Sequence, residues 1–177
     1  MKVKFSIGIL LIISVGAFGQ DHWKVDSTRI VFHISNAGFT VDGSVAGVEA
    51  VIRFSKSKLA KSSFIATVQS ATIYTGIQLR DKHLKKTYYF DVTKYPTMEI
   101  ASKRIVQTTE GFEALSVITI KGTSKEVNIP FTFSQTNNSA EFKGSLSLNR
   151  LDFGVGGKSI ILSEKVDVDI WISATRQ

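Results

Sequence analysis

The chain has 177 residues, 43% hydrophobic and 21% charged, with a formal net charge of +7. That length and balance fit one globular domain, and the apolar content is too high for a chain that stays disordered. Cysteine is absent, which excludes disulfide scaffolds, thiol nucleophiles and thiolate zinc sites.

In chain order, the first element is an address. Lys2 and Lys4 precede an apolar run from Phe5 to Val15, and Ala17-Phe18-Gly19 follows with small residues spaced as a cleavage site requires. This is the anatomy of a secretory signal peptide over residues 1–19. The run is shorter than the roughly 20 residues of a membrane-spanning helix, and no cysteine follows it to carry a lipid anchor. Cleavage leaves residues 20–177 as one domain and, by removing two lysines, lowers the net charge from +7 to +5. The product is expected in the periplasm or secreted.

Beyond the leader, alternation with period two dominates, the mark of half-buried strands. Ile30, Phe32 and Ile34 share one face, with Arg29, Val31 and His33 on the other. Asn36-Ala37-Gly38 breaks the run, a second strand passes through Phe39 and Val41, and Val45 to Phe54 follows with glycines at 43 and 47 near its start. Ser55 to Ser63 is polar and basic, a loop or a single helical turn. Phe64 to Ile73 alternates again. Leu79, His83, Leu84 and Tyr88 then recur at near-helical spacing, so a short amphipathic helix is expected near 79–90, ended by Tyr95-Pro96.

Further strands begin at Met98 and run from Phe112 to Lys121. Another carries Val127, Ile129, Phe131 and Phe133 on one face, and the next carries Phe142, Gly144, Leu146 and Leu148. Asn137-Asn138-Ser139 is the turn between those two. The last presents Val166, Val168, Ile170 and Ile172. About eight strands with polar outer faces predict an all-β fold, an antiparallel sandwich or barrel, and closure would hide the strand edges. An eight-stranded interior either fills with side chains or holds one small ligand, and the alternation leaves both open.

Several spaced motifs carry a resemblance. They are Trp23-Lys24-Val25-Asp26, Thr75-Gly76, Arg80-Asp81-Lys82-His83-Leu84, Tyr89-Phe90-Asp91-Val92 with Lys94-Tyr95-Pro96, Leu115 to Gly122, Arg150 to Gly156, and Val166 to Ile172. In that order they resemble the YceI-like family, exported proteins with an eight-stranded lipocalin-like barrel that bind polyisoprenoids or other long-chain lipids. Members commonly carry a histidine after the first strand, where this chain has Asn36-Ala37-Gly38-Phe39.

The resemblance implies a cavity and a long apolar ligand, an isoprenoid such as a quinone or prenyl pyrophosphate, or another lipid. Phe32, Ile34, Phe131, Phe133, Leu146 and Phe153 are the expected chain contacts, joined by Phe39, Ile73, Phe90 and Leu148. Ala66, Ser70 and Gly144 are expected to leave room beside them. Arg80, His83 and Arg150 are the expected head-group residues. The alternative is an envelope stress or partner-binding protein with a filled barrel.

No enzyme, cofactor or metal site is expected. Asp81 and His83 are two apart and do not face each other on a helix, no nucleophile accompanies them, and Asp167 with Asp169 are too few oxygen ligands for a divalent ion. A structural role at the barrel mouth suits Arg80 and Asp81. Basic residues from Arg53 to Lys61 and Leu79 to Lys94 allow transient membrane-surface contact, and a homodimer is a further possible partner state. Nucleic acid is not a partner, because aromatics do not interleave with those basic runs.

Overall fold

The first strand, β1 (His22–Asn36), is 15 residues long and organises the molecule by pairing with three neighbours. The computed structural model describes residues 22–177, so the expected leader over residues 1–19 lies outside the described residues. The first end of β1 pairs with β3 (Val48–Arg53), and its second half, Ile30 to Asn36, pairs with β2 (Phe39–Val45). These two segments are one strand position broken at Ala46-Gly47. Gly47 has φ +67°, and a Cβ there would lie 2.7 Å from the Gln69 side chain, so glycine is required at the break.

The sheet continues through β4 (Ser63–Gln69), β5 (Thr97–Gln107), β6 (Phe112–Ile120), β7 (Thr123–Thr136), β8 (Ser139–Asn149) and β9 (Leu162–Arg176). Every pairing is antiparallel, and β9 returns to β1, closing an eight-stranded barrel. Irregularities in β1 at Val25/Ser27 and Ile34/Asn36 supply the bends that closure of so long a strand needs. The all-β, lipocalin-like barrel expected from alternation and resemblance is the observed fold.

The helical excursion is shorter than its spacing predicts. The helix α1 covers Gln78–Leu84, and residues 85–95 form successive turns. The chain reverses so that Phe90 N–H donates to Leu84 O at 3.0 Å and Asp91 N–H donates to Lys86 O at 3.0 Å. Asp91 takes φ +47° there. The turn lets Leu84 and Phe90 approach the same interior, which continued helix would not allow.

Two packed clusters divide the barrel along its axis. At one end Trp23, Phe54, Phe112, Phe131 and Phe142 are buried, with Phe64 and Phe133 packed against them. Phe54, only 1% exposed, is the hub: its ring centroid lies 4.8–5.9 Å from those of Phe133, Phe112, Phe131, Phe142 and Phe64. Edge-to-face pairs of this kind contribute about 0.5–1.5 kcal/mol each beyond their burial. Trp23 Nε1–H donates to Phe54 O at 2.9 Å, so the indole is satisfied as well as buried. The second cluster gathers Ile118, Ile129, Leu146, Phe153 and Val155, and it is not packed to its centre.

Candidate lipid cavity

The aromatic end is a floor, and above it the barrel is hollow. A cavity of about 750 Å³ runs from that floor to the opposite end, within the 300–1,000 Å³ typical of ligand sites. Its wall is overwhelmingly aliphatic and aromatic: Ile30, Phe32, Val68, Ile100, Ile118 and Val168 are representative. Several strands contribute to both levels. Strand β8 sends Phe142 to the floor and Leu146 and Leu148 to the cavity, while β9 sends Ala174 to the floor and Val168 and Val166 to the cavity.

The mouth is framed by α1, the turns around Tyr88–Phe90, the β1–β2 turn and the segment between β8 and β9. Arg150 pins that last segment. Although 6% exposed, its guanidinium donates from Nε to Ser163 O at 2.8 Å, from Nη1 to Val155 O at 2.9 Å and from Nη2 to Leu162 O at 3.3 Å. Carbonyls gathered on a buried cation make charge-assisted bonds that tie residues 155–163 to the 3-10 turn at Arg150–Phe153. Lys121 Nζ donates to Gly154 O at 2.7 Å, and Gly156 N–H donates to Tyr88 O at 2.9 Å, which joins this segment to the turns after α1.

Arg80 and Asp81 build the other side. Asp81 is buried and accepts from Thr75 N–H at 2.8 Å and from Thr75 Oγ1 at 2.6 Å. Arg80 donates from Nε to Thr75 Oγ1 at 2.7 Å and from Nη2 to Thr75 O at 2.7 Å. The adjacent Tyr74 exchanges backbone hydrogen bonds with Ser44 of β2 at 2.8 and 3.0 Å. This network holds α1 against the broken strand, the structural role read from the triplet in the sequence.

Of the sequence-predicted residues, Phe32, Ile34, Ile73, Phe90, Leu146, Leu148 and Phe153 line the cavity, as do Arg80, His83 and Arg150. Three do not. Phe131 and Phe133 point inward but belong to the aromatic floor, because period two fixes the face of a residue and not its height in the barrel. Phe39 is 77% exposed, since it opens β2 at the rim, past the last turn of wall. Gly144 does not open space either: a Cβ there would meet Pro130 O at 3.3 Å and Ile129 Cγ2 at 3.4 Å. Ala66 and Ser70 are likewise absent from the lining.

Sequence reasoning missed Tyr88, Tyr89, Ile161 and Val155, which line the mouth from segments without alternation. It also missed Gly43, where a Cβ would fall 2.1 Å from Phe32 Cζ. The Phe32 ring lies over that glycine, which sets how far it projects into the cavity.

Outside the wall, His33 bridges β2 and β9, its Nδ1 2.7 Å from Asp42 Oδ1 and its Nε2 3.3 Å from Asp169 Oδ2. The hydrogen bond to Asp42 foremost, with Asp169 assisting, raises its pKa above the ordinary 6.5. On the same wall Asp167 accepts from the Ser147 hydroxyl and pairs with Lys165, which lowers its pKa below the ordinary 3.8. Among the described residues no three His, Asp or Glu side chains converge as a metal site requires.

The barrel is shared with solved proteins. It matches BcnA of Burkholderia cenocepacia with a TM-score of 0.81 at 23% identity, covering 86% of this chain and all of that one. It also matches a polyisoprenoid binding domain from Saccharophagus degradans implicated in plant cell wall breakdown, with a TM-score of 0.69 at 10% identity over 89% of this chain and 99% of that one. Among curated relatives, a UPF0312 protein of Pseudomonas savastanoi pv. phaseolicola is 28% identical over 147 residues, 78% of this chain and 76% of its own length. The model of the YceI-like domain matches residues 23–174, which spans every strand of the barrel. The chain therefore belongs to the YceI-like family.

Proposed function

We propose that this protein binds a long apolar molecule, foremost an isoprenoid chain, in the hollow end of its barrel and shields it from water without chemical change. The observation that carries the reading is an apolar-walled cavity of about 750 Å³ standing on a floor packed with seven aromatic rings. The same barrel packs one end densely and stays hollow at the other, which supports a binding role for the hollow end. The fold shared with a polyisoprenoid binding domain supports the choice of ligand class.

Magnitudes favour a long chain over a short one. Each methylene removed from water contributes about 0.8 kcal/mol. Association costs on the order of 4–15 kcal/mol, so some ten buried carbons only break even and tight retention needs more. The polar end of the ligand then sits at the mouth, beside His83, Lys158 and Ser159. Arg80 and Arg150 build the frame around it, since their donors already serve Thr75 and backbone carbonyls. The reading includes export with removal of residues 1–19, which an intact mass of the protein from the periplasmic fraction checks.

Mass spectrometry of organic extracts from the purified protein tests the reading. One long-chain apolar molecule per protein chain is expected. A clean extract, together with failure to take up an added polyprenol, overturns it.

A further inference from the structure

We propose that the rim of the cavity docks on an anionic membrane surface, so that the ligand passes between bilayer and barrel without crossing water. The proposal rests on the lipid-binding reading and adds the partner that surface fits.

Nine large hydrophobic side chains are exposed among the described residues, and seven of them border the mouth. Ile77, Leu79, Tyr88 and Ile161 belong to the cavity lining itself, Tyr74 and Ile160 neighbour lining residues in sequence, and Phe39 pairs with the lining residue Asn36 across β1 and β2. The other two, Val51 and Ile65, face each other across β3 and β4 on the barrel wall. Three backbone links join the segments that carry them: Ala37 N–H donates to Ile161 O at 2.7 Å, Gly156 N–H to Tyr88 O at 2.9 Å, and Tyr74 N–H to Ser44 O at 3.0 Å. Ile160 is fully extended into solvent, at 104% exposure, and Leu79 is 65% exposed. Exposed apolar side chains gathered around one opening mark a site of association. Tyrosines within it suit a boundary that is apolar on one side and wet on the other.

Charge selects the occupant. Lys82 follows Leu79 by one helical turn, Lys86 lies in the turns just past the helix, and Lys158 lines the mouth, all three exposed. Three acids nearby are engaged, Asp81 with Thr75, Asp42 with His33 and Glu164 with the Asn149 amide, and Glu99 is the acid in the cavity lining. Cations therefore flank an apolar ring, the pattern of a surface that inserts between anionic head groups. The ring also surrounds the opening, so whatever sits on it covers the cavity. A bilayer in that position gives an apolar chain a continuous path, and each methylene spared exposure to water favours that path about fourfold.

Flotation of the full protein with vesicles of phosphatidylethanolamine and phosphatidylglycerol tests the proposal. The expected result is co-flotation that weakens with salt and with pure phosphatidylcholine vesicles. Phe39→Asp combined with Ile160→Asp should weaken it at least tenfold, since neither side chain lines the cavity and each loses one large apolar insertion. The same double variant should retain its extracted ligand and its melting temperature. Co-flotation unchanged in that variant, or absent in the wild type, overturns docking and leaves the lipid reading standing if the extract still holds an apolar ligand. An empty wild-type extract with rim-dependent flotation overturns the lipid reading alone. If light scattering instead finds a dimer that the double variant splits, with no protein floating, the rim is a contact between copies and the docking proposal is wrong.

Discussion

At the closed end of the barrel the inward residues of β1, β6, β7 and β8 are Trp23, Phe112, Phe131 and Phe142; at the open end β1, β6 and β8 present Phe32, Ile118 and Leu146. On β6 and β8 the two levels obey one alternation, on β1 the bulge at Val25/Ser27 shifts its phase between Trp23 and Phe32, and the levels differ in volume. Around Phe54 the rings meet edge to face and leave no space. Aliphatic side chains on the same circumference cannot reach the axis, so they leave a tube. Ser116, buried between Ala114 and Ile118 on β6, marks the level where the barrel changes from one to the other. A binding cavity thus needs no special motif: shortening the inward side chains on one half of each strand creates it, and the aromatic floor keeps the barrel stable.

The comparison predicts unequal sensitivity to substitution. Phe54→Ala removes the hub of the floor and should cost about 3–5 kcal/mol, read as a lower denaturation midpoint. Arg150→Met, which leaves the carbonyls of Val155, Leu162 and Ser163 without their donor, should cost about 2 kcal/mol. Its effect should also appear as faster hydrogen exchange in residues 155–163, whereas exchange around Phe54 stays slow.

Filling the tube should be far milder. Val168→Trp grows into open space and should change stability by less than about 1.5 kcal/mol while lowering ligand retention at least tenfold. Gly43→Ala should act the same way and more weakly, because its methyl group drives the Phe32 ring toward the cavity.

The smallest effect lies on the outer wall. His33 gains its carboxylate partners on folding and its pKa rises, so the stabilisation is complete below about 6.5 and is lost as pH rises through the raised value. His33→Gln should flatten that pH dependence in thermal melts, leaving retention unchanged.

Much of this was legible in the chain. Alternation located the strands after Phe112 and the inward faces of Phe32, Ile34, Leu146 and Leu148. Its blind spot was height: Phe131 and Phe133 occupy the predicted face and the wrong level, which only the stagger of paired strands determines. The mouth was harder, because Tyr88, Ile161 and Val155 lie in turns without periodicity, held by Arg150 and by Lys121, whose bonds to Tyr88 O and Gly154 O each span 33 residues of sequence. Arg80 was read both as a head-group residue and, with Asp81, as a brace at the mouth, and its hydrogen bonds to Thr75 supply the brace.

The central claim is that the hollow end, and not the surface, holds a long apolar chain. Native mass spectrometry of the wild type and Val168→Trp, each mixed with the same polyprenol, tests it most directly. One polyprenol per wild-type chain and none on the filled variant is the predicted result. Equal binding by both proteins, or binding by neither, would contradict it.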